Sequence, residues 1–210
     1  MTKRYFITGT DTEVGKSFVT AALLARAAQQ GRSAFGFKPI AAGATWHNGA
    51  LENEDGQLLQ QYSSPSYDYS VHNPIVFADP QSPHLCQATS LQSLINLSQQ
   101  IPPADYQLIE GAGGWFVPIN EQQTLADYAN ALNIPVILVV DIKLGCINHA
   151  LLSAQAIGSK LAGWVANNRH GSNQNMIDSI ATRLTAPCLG TLGQTTINHA
   201  ATLIQFPDER

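Results

Sequence analysis

Near its start the chain passes from a short apolar run, Tyr5 to Thr8, through Gly9-Thr10-Asp11-Thr12-Glu13-Val14-Gly15-Lys16-Ser17 into a segment with helical spacing. A strand that enters a helix across a loop ending in Gly-Lys-Ser is the arrangement a phosphate-binding loop requires. The first turn of a helix carries unpaired N–H donors and the positive end of the helix dipole, and both suit phosphate oxygens. Lys16 adds a full positive charge for β- and γ-phosphates, and the Ser17 hydroxyl can ligate Mg²⁺. The register departs from G-x-x-x-x-G-K-[ST] by one residue, because Thr10 stands where the first glycine belongs and Gly9 comes one position early. G-x-G-x-x-G does not occur there, which disfavours a dinucleotide fold.

The same unit, an apolar run, a polar or glycine-rich break and then helical spacing, recurs along the chain. That is how βα units of a parallel sheet look in sequence. Val19, Leu23 and Ala27, with Leu24 and Ala28 beside them, predict a first helix from Lys16 to a stop at Gly31. Further strands are expected at Ala34 to Phe37, Gln107 to Ile109, Val136 to Val140, Leu161 to Ala166 and Cys188 to Leu189. Further helices are expected near Asp55 to Tyr62, Leu91 to Gln99, Thr124 to Leu132, Ile147 to Lys160 and Asn173 to Leu184. Ala41 to Pro83 is the least periodic stretch, long enough to read as a functional loop over a site. The expected fold is α/β: a single P-loop NTPase-like domain over residues 1–210, with a mostly parallel sheet flanked by helices on both faces. In such a sheet, ligands bind beyond the carboxyl ends of the strands.

Composition narrows the partners. The 210 residues are 44% hydrophobic and 12% charged, with a net charge of -4, and no Lys/Arg cluster is present, so a general nucleic-acid binder is disfavoured. The longest apolar run, Ile134 to Val140, is too short to span a bilayer, and the first residues lack a signal-peptide hydrophobic region. No membrane association and a cytoplasmic location are expected. Cys86, Cys146 and Cys188 are odd in number and widely spaced, which reads as reduced thiols. The six histidines show no ligand-pair spacing, so His84 and His149 read as structural.

A nucleoside triphosphate with Mg²⁺ needs carboxylates, and two apolar runs lead into one. Glu110 opens Glu110-Gly111-Ala112-Gly113-Gly114-Trp115 and Asp141 opens Asp141-Ile142-Lys143-Leu144-Gly145. By position alone either serves as the metal-side acid. The glycines after Glu110 allow close backbone approach to a ligand and favour it, while a helix-entry or loop hydrogen bond is the preferred reading of Asp141. Asp55 either supplies a second carboxylate or caps a helix. Of the five lysines, Lys3, Lys16, Lys38, Lys143 and Lys160, Lys38 lies just past a strand in Lys38-Pro39-Ile40-Ala41-Ala42-Gly43. A cation there suits charge on a transferring phosphoryl group or an anionic substrate.

These segments, together with Lys143-Leu144-Gly145-Cys146-Ile147-Asn148-His149 and Gly163-Trp164-Val165-Ala166-Asn167, resemble the dethiobiotin synthetases in order and spacing from about Arg4 to Asn168. The resemblance implies an ATP- and Mg²⁺-dependent ring closure in biotin biosynthesis. In it 7,8-diaminononanoate and CO₂ form a carbamate that ATP phosphorylates and the neighbouring amine attacks, giving dethiobiotin, ADP and phosphate. It implies Glu13, Val14, Gly15, Lys16, Ser17 and Phe18 around the phosphates, with Ser17, Asp55 and Glu110 around Mg²⁺. It places Lys38 at the carbamate and γ-phosphate, Thr12 on the carbamate side, and Gly111, Ala112 and Gly113 where substrate and nucleotide meet. Asn167 would read adenine, with Asn168 beside it among the nucleotide residues. The family is homodimeric, and Gly145, Cys146, Ile147 and Asn148 of one chain would meet the substrate carboxylate of the other.

Three positions depart from that pattern. Ala42 stands where a substrate-contacting hydroxyl is common, Asn168 where aspartate is frequent, and Gly193-Gln194-Thr195 replaces a more apolar, proline-bearing segment. Two other classes remain as alternatives: another P-loop amidoligase, which usually carries a glutaminase domain, and a switch ATPase with a protein, membrane or DNA partner.

Overall fold

A computed structural model of the chain describes residues 2–171 and 173–209; Met1 and Arg210, the limits of the expected domain, lie outside them. The chain opens with β1 (Lys3–Gly9), α1 (Lys16–Gln29) and β2 (Ala34–Phe37). An irregular stretch follows, with β3 (Ile40–Ala41), β4 (Thr45–His47), β5 (Ala50–Glu52), α2 (Glu54–Tyr62), α3 (Tyr69–His72), β6 (Ile75–Val76) and α4 (Pro83–Cys86). The rest alternates: α5 (Leu91–Gln99), β7 (Tyr106–Gly114), α6 (Leu125–Leu132), β8 (Val136–Asp141), α7 (Cys146–Ile157), β9 (Leu161–Asn167), α8 (Gln174–Ala181), β10 (Cys188–Leu192) and α9 (Ile197–Leu203).

Among the described residues, six strands form one sheet in the order β10-β9-β8-β1-β7-β2, every neighbouring pair parallel. Successive side chains on a strand point to opposite faces, and a parallel sheet needs helices over both. In β1, Phe6 enters a core with α5, α6, α7 and α8, while Tyr5 and Ile7 enter one with α1, α2 and α9. In β8, Leu138 and Val140 face the first core, and Ile137 and Val139 the second. This is the expected P-loop NTPase-like architecture. Among the described residues no helix is long and apolar enough to cross a membrane.

Several boundaries differ from the sequence expectation. β7 does not stop at Ile109 but runs to Gly114, because β1 keeps pairing with it through an irregularity that sets Gly9 against Gly114. Glu110 therefore lies inside a strand, opposite Ile7, rather than past its end. α7 stops at Ile157, where Gly158 turns to φ 67°, and the last three residues of the expected helix, Gly158–Lys160, form a 3₁₀ turn instead. Thr124 is not the first turn of α6 but its cap, accepting from the Asp127 N–H while the Asp127 carboxylate accepts from the Thr124 N–H. α9 was not expected at all, since its seven residues are too few to display a helical period.

α1 carries the phosphate loop, and its packing is testable. Leu23 is fully buried against the sheet, whereas Leu203 at the end of α9 is 44% exposed. Leu23→Ala is expected to cost about 2–5 kcal/mol in urea unfolding, and Leu203→Ala less than about 0.5 kcal/mol.

Candidate active site

A cavity of about 950 Å³ opens at the carboxyl ends of β1, β2 and β7. Its floor is the loop between β1 and α1. Gly15, at φ 89°, sets the start of α1, a left-handed conformation that suits glycine. A Cβ there would lie 2.1 Å from Asn167 Nδ2, which donates to the Val14 carbonyl at 2.8 Å. The glycine that comes one residue early has a packing role, because a Cβ on Gly9 would lie 2.5 Å from Val14 Cγ2. Lys16 curls back over the loop and donates to the Asp11 carbonyl at 2.9 Å. Its burial, and after that the charge of Lys38, push its pKa down to about 8.

Beside the loop lies a buried charge cluster. Glu110 is completely buried, and its Oε1 accepts from the Ser17 hydroxyl at 2.7 Å and from Lys38 Nζ at 2.8 Å. Its Oε2 lies 2.8 Å from the Thr20 hydroxyl, one helical turn after Ser17. Lys38 also donates to Asp55 Oδ2 at 2.6 Å. Burial works against the Lys38 charge, but Glu110 and Asp55 outweigh it and hold its pKa above the ordinary lysine value. Asp55 responds in turn: burial would raise its pKa, yet Lys38 draws it below the usual carboxylate value. The Lys38 backbone is clamped by α3, donating to the His72 carbonyl at 2.8 Å and accepting from Asn73 Nδ2 at 2.7 Å.

Asp55 does not cap α2. Asn53 does, accepting from the Asp55 N–H at 3.1 Å, which leaves the Asp55 carboxylate to face the cavity. Ser17, Asp55 and Glu110 thus offer oxygen donors alone, the set Mg²⁺ takes. Among the described residues no three His, Cys, Asp or Glu side chains converge, so an ion held there would also draw on phosphate oxygens.

The cavity is lined by Thr12, Glu13, Gly15, Lys16, Ser17, Phe18, Lys38, Ala42, Asp55, Ala112 and Gly113 from the expected set. Val14 and Glu110 lie buried beneath it, and Gly111 packs against Phe6, 3.1 Å from where its Cβ would be. Asn167 is buried behind the loop. Asn168 Oδ1 is buried with no hydrogen-bond partner among the described residues. Gly145, Cys146, Ile147 and Asn148, at the start of α7, do not line this chain's cavity.

Asp141, the other candidate acid, is ringed by basic side chains. Arg169 meets it with Nε and Nη2, both at 3.1 Å, Lys143 lies at 3.2 Å and His170 at 3.4 Å. Arg169 Nη2 also donates to the Glu13 carbonyl at 2.7 Å. Sequence reasoning missed Thr20 and Arg169. The Ser17-to-Thr20 spacing on one helix face was an available signal for the first; for the second there was none, because Asp141 and Arg169 meet only through the pairing of β8 with β9.

Burial would raise the Asp141 pKa, but Arg169 and Lys143 draw it below the usual carboxylate value. Its ionised form therefore stabilises the fold above the unfolded pKa of about 3.9, and that contribution is lost as pH falls through the lower folded value. Asp141→Asn is expected to cost about 1–3 kcal/mol at pH 7, and the gap to wild type should close in chemical-denaturation curves taken progressively below about pH 4.

Residues 3–202 match a family model described as an AAA domain. The ATP-dependent dethiobiotin synthetase BioD of Pseudescherichia vulneris is 46% identical over 202 residues, covering 90% of this chain and 84% of that protein. The ATP-dependent dethiobiotin synthetase BioD 1 of Escherichia coli (strain K12) is 45% identical over 208 residues, covering 90% of each. Among solved structures, the signal recognition particle receptor FtsY from Elizabethkingia anophelis aligns with a TM-score of 0.55 at 13% identity, over 100% of this chain and 64% of that one. This chain thus spans less than two thirds of that receptor, and the likeness is one of fold alone. By the identity and coverage it shares with relatives of that name, the chain belongs to the ATP-dependent dethiobiotin synthetases.

Proposed function

We propose that the chain joins 7,8-diaminononanoate and CO₂ with the use of ATP, closing the ureido ring of dethiobiotin. The observation that carries this reading is the buried cluster of Lys38, Glu110, Asp55 and Ser17 at the end of a phosphate loop. The family relatives favour it over another amidoligase or a switch ATPase.

The order of events follows from charge. A carbamate oxygen attacks the γ-phosphorus of ATP and ADP leaves; the neighbouring amine then attacks the carbamoyl carbon, phosphate leaves with its electron pair, and the amine proton passes to the departing phosphate or to water. The first step gathers negative charge between two anions and the second returns charge to the leaving phosphate, and fixed cations stabilise both without reorganising. Lys16 and the N–H groups at the start of α1 would hold the β- and γ-phosphates, and Lys38 would face the carbamate and γ-phosphate. Mg²⁺ held by Ser17, Asp55 and Glu110 would supply Lewis-acid neutralisation of the phosphates. Thr12 beside Gly113 would meet the carbamate. Ala41, Ala42, Leu58, Pro80 and Val117 give the cavity an apolar side for the alkyl chain of the substrate, and Ala42 offers that chain no hydroxyl. No protein nucleophile is required.

At the nucleoside end, the side-chain amide of Asn167 would read adenine, with Asn168 beside it among the nucleotide residues. A homodimer is part of the reading: Gly145 to Asn148 lie away from this chain's cavity, and near them Leu144 is 91% exposed. The reading also takes residues 1–210 as one synthetase domain acting in the cytoplasm.

The test is ADP release with Mg·ATP and bicarbonate, with and without the diamine, while dethiobiotin is followed by mass spectrometry. ADP release that depends on the diamine, with matching product, is expected; hydrolysis indifferent to the diamine would overturn the reading. Lys38→Ala should lower turnover by at least about 100-fold while ATP still binds, and near-wild-type turnover would show that Lys38 is misassigned. Glu110→Gln should impair Mg²⁺-dependent turnover more than Asp141→Asn does, and the reverse order would place the metal side at Asp141.

A further inference from the structure

Arg169 belongs to none of the groups assigned above. It lines the cavity, yet it follows β9, on the opposite side of the phosphate loop from Lys38 and Glu110. The loop leans both ways. Ser17 reaches Glu110 on β7, while Val14 and Glu13 are held by Asn167 and Arg169 on the β9 side. A phosphate chain laid along this loop, with its reacting end at Lys38, therefore runs toward β9. The strand order places β9 two strands from β1, roughly 10 Å at ordinary sheet spacing.

The guanidinium is fixed before any ligand arrives. Nε and Nη2 both face the buried Asp141 carboxylate and Nη2 also donates to the Glu13 carbonyl, so three of its five N–H groups are committed and its plane is set. Nη1 has no partner among the described residues, and the side chain remains 41% exposed. An arginine that is buttressed by a buried acid, lines a binding cavity and keeps two N–H donors uncommitted is built to receive an acceptor.

We propose that Arg169 is a nucleotide-binding residue that donates from Nη1 to the nucleoside part of ATP, with Asp141 as the group that aims it. The inference rests on the reading of the loop as an ATP site and deepens it. Arg169 acts at the end of the nucleotide remote from the reaction, so it contributes to affinity and to discrimination between a nucleotide and a bare polyphosphate.

The experiment is calorimetric binding of ATP, ADP and inorganic tripolyphosphate to wild type, Arg169→Ala and Arg169→Lys. Lysine keeps a cation on Asp141 but supplies no forked donor, which guards against loss of the fold in the alanine variant; thermal unfolding of each variant is recorded alongside. Both variants are expected to weaken ATP and ADP by about tenfold, and tripolyphosphate by clearly less. Equal losses for all three ligands would mean that Arg169 only supports the loop through Glu13, and unchanged ATP affinity would mean that it touches no ligand; either result overturns the inference while leaving the ATP site intact. A wild-type protein that binds no ATP would instead overturn the reading on which the inference rests.

Discussion

A carboxylate with no exposure to water must be matched by donors, and Glu110 meets that demand by tying its own strand to two other elements. Ser17 and Thr20 come from α1, Lys38 from the end of β2, and Glu110 itself from within β7. Removing any donor would leave part of a buried charge uncompensated, a cost that is large at a site without solvent. The cluster thereby fixes the phosphate loop, the strand-end lysine and Asp55 relative to one another. Lys16 and Lys38 are formally balanced by Glu110 and Asp55, so a triphosphate and a divalent cation would add to a neutral setting rather than to a bare field.

A second buried acid plays the matching part across the loop. Asp141 ends β8 and is neutralised by Lys143 and Arg169, which follow β8 and β9. Through Arg169 it reaches Glu13, whose backbone holds φ 57°, an uncommon conformation for a residue with a side chain. The loop is thus gripped from both sides, by Glu110 toward the reacting end and by Asp141 through Arg169 toward the other.

Much of this was legible in the sequence because the signals were local. The apolar run of β1, the Gly15-Lys16-Ser17 turn and the helical spacing of α1 sit within thirty residues of one another, and the alternation of strand and helix implied helices on both faces. Short elements escaped notice: α3, α4 and α9 are each seven residues or fewer, below the length at which a helical period shows. The extent of β7 was misjudged because Gly111, Gly113 and Gly114 read as a loop, whereas a parallel neighbour kept that backbone extended.

The sequence by itself determined the fold class, the position of the phosphate loop and the identity of Lys38, Glu110 and Asp55 as residues of interest, because each follows from a nearby pattern of turn, charge and apolar spacing. Only the tertiary structure decided which acid serves which side of the loop. Glu110 is coupled to Lys38 across 72 residues and Asp141 to Arg169 across 28, and which charges meet is set by strand order and register. Those follow from how the whole sheet packs, and no short stretch of sequence encodes them.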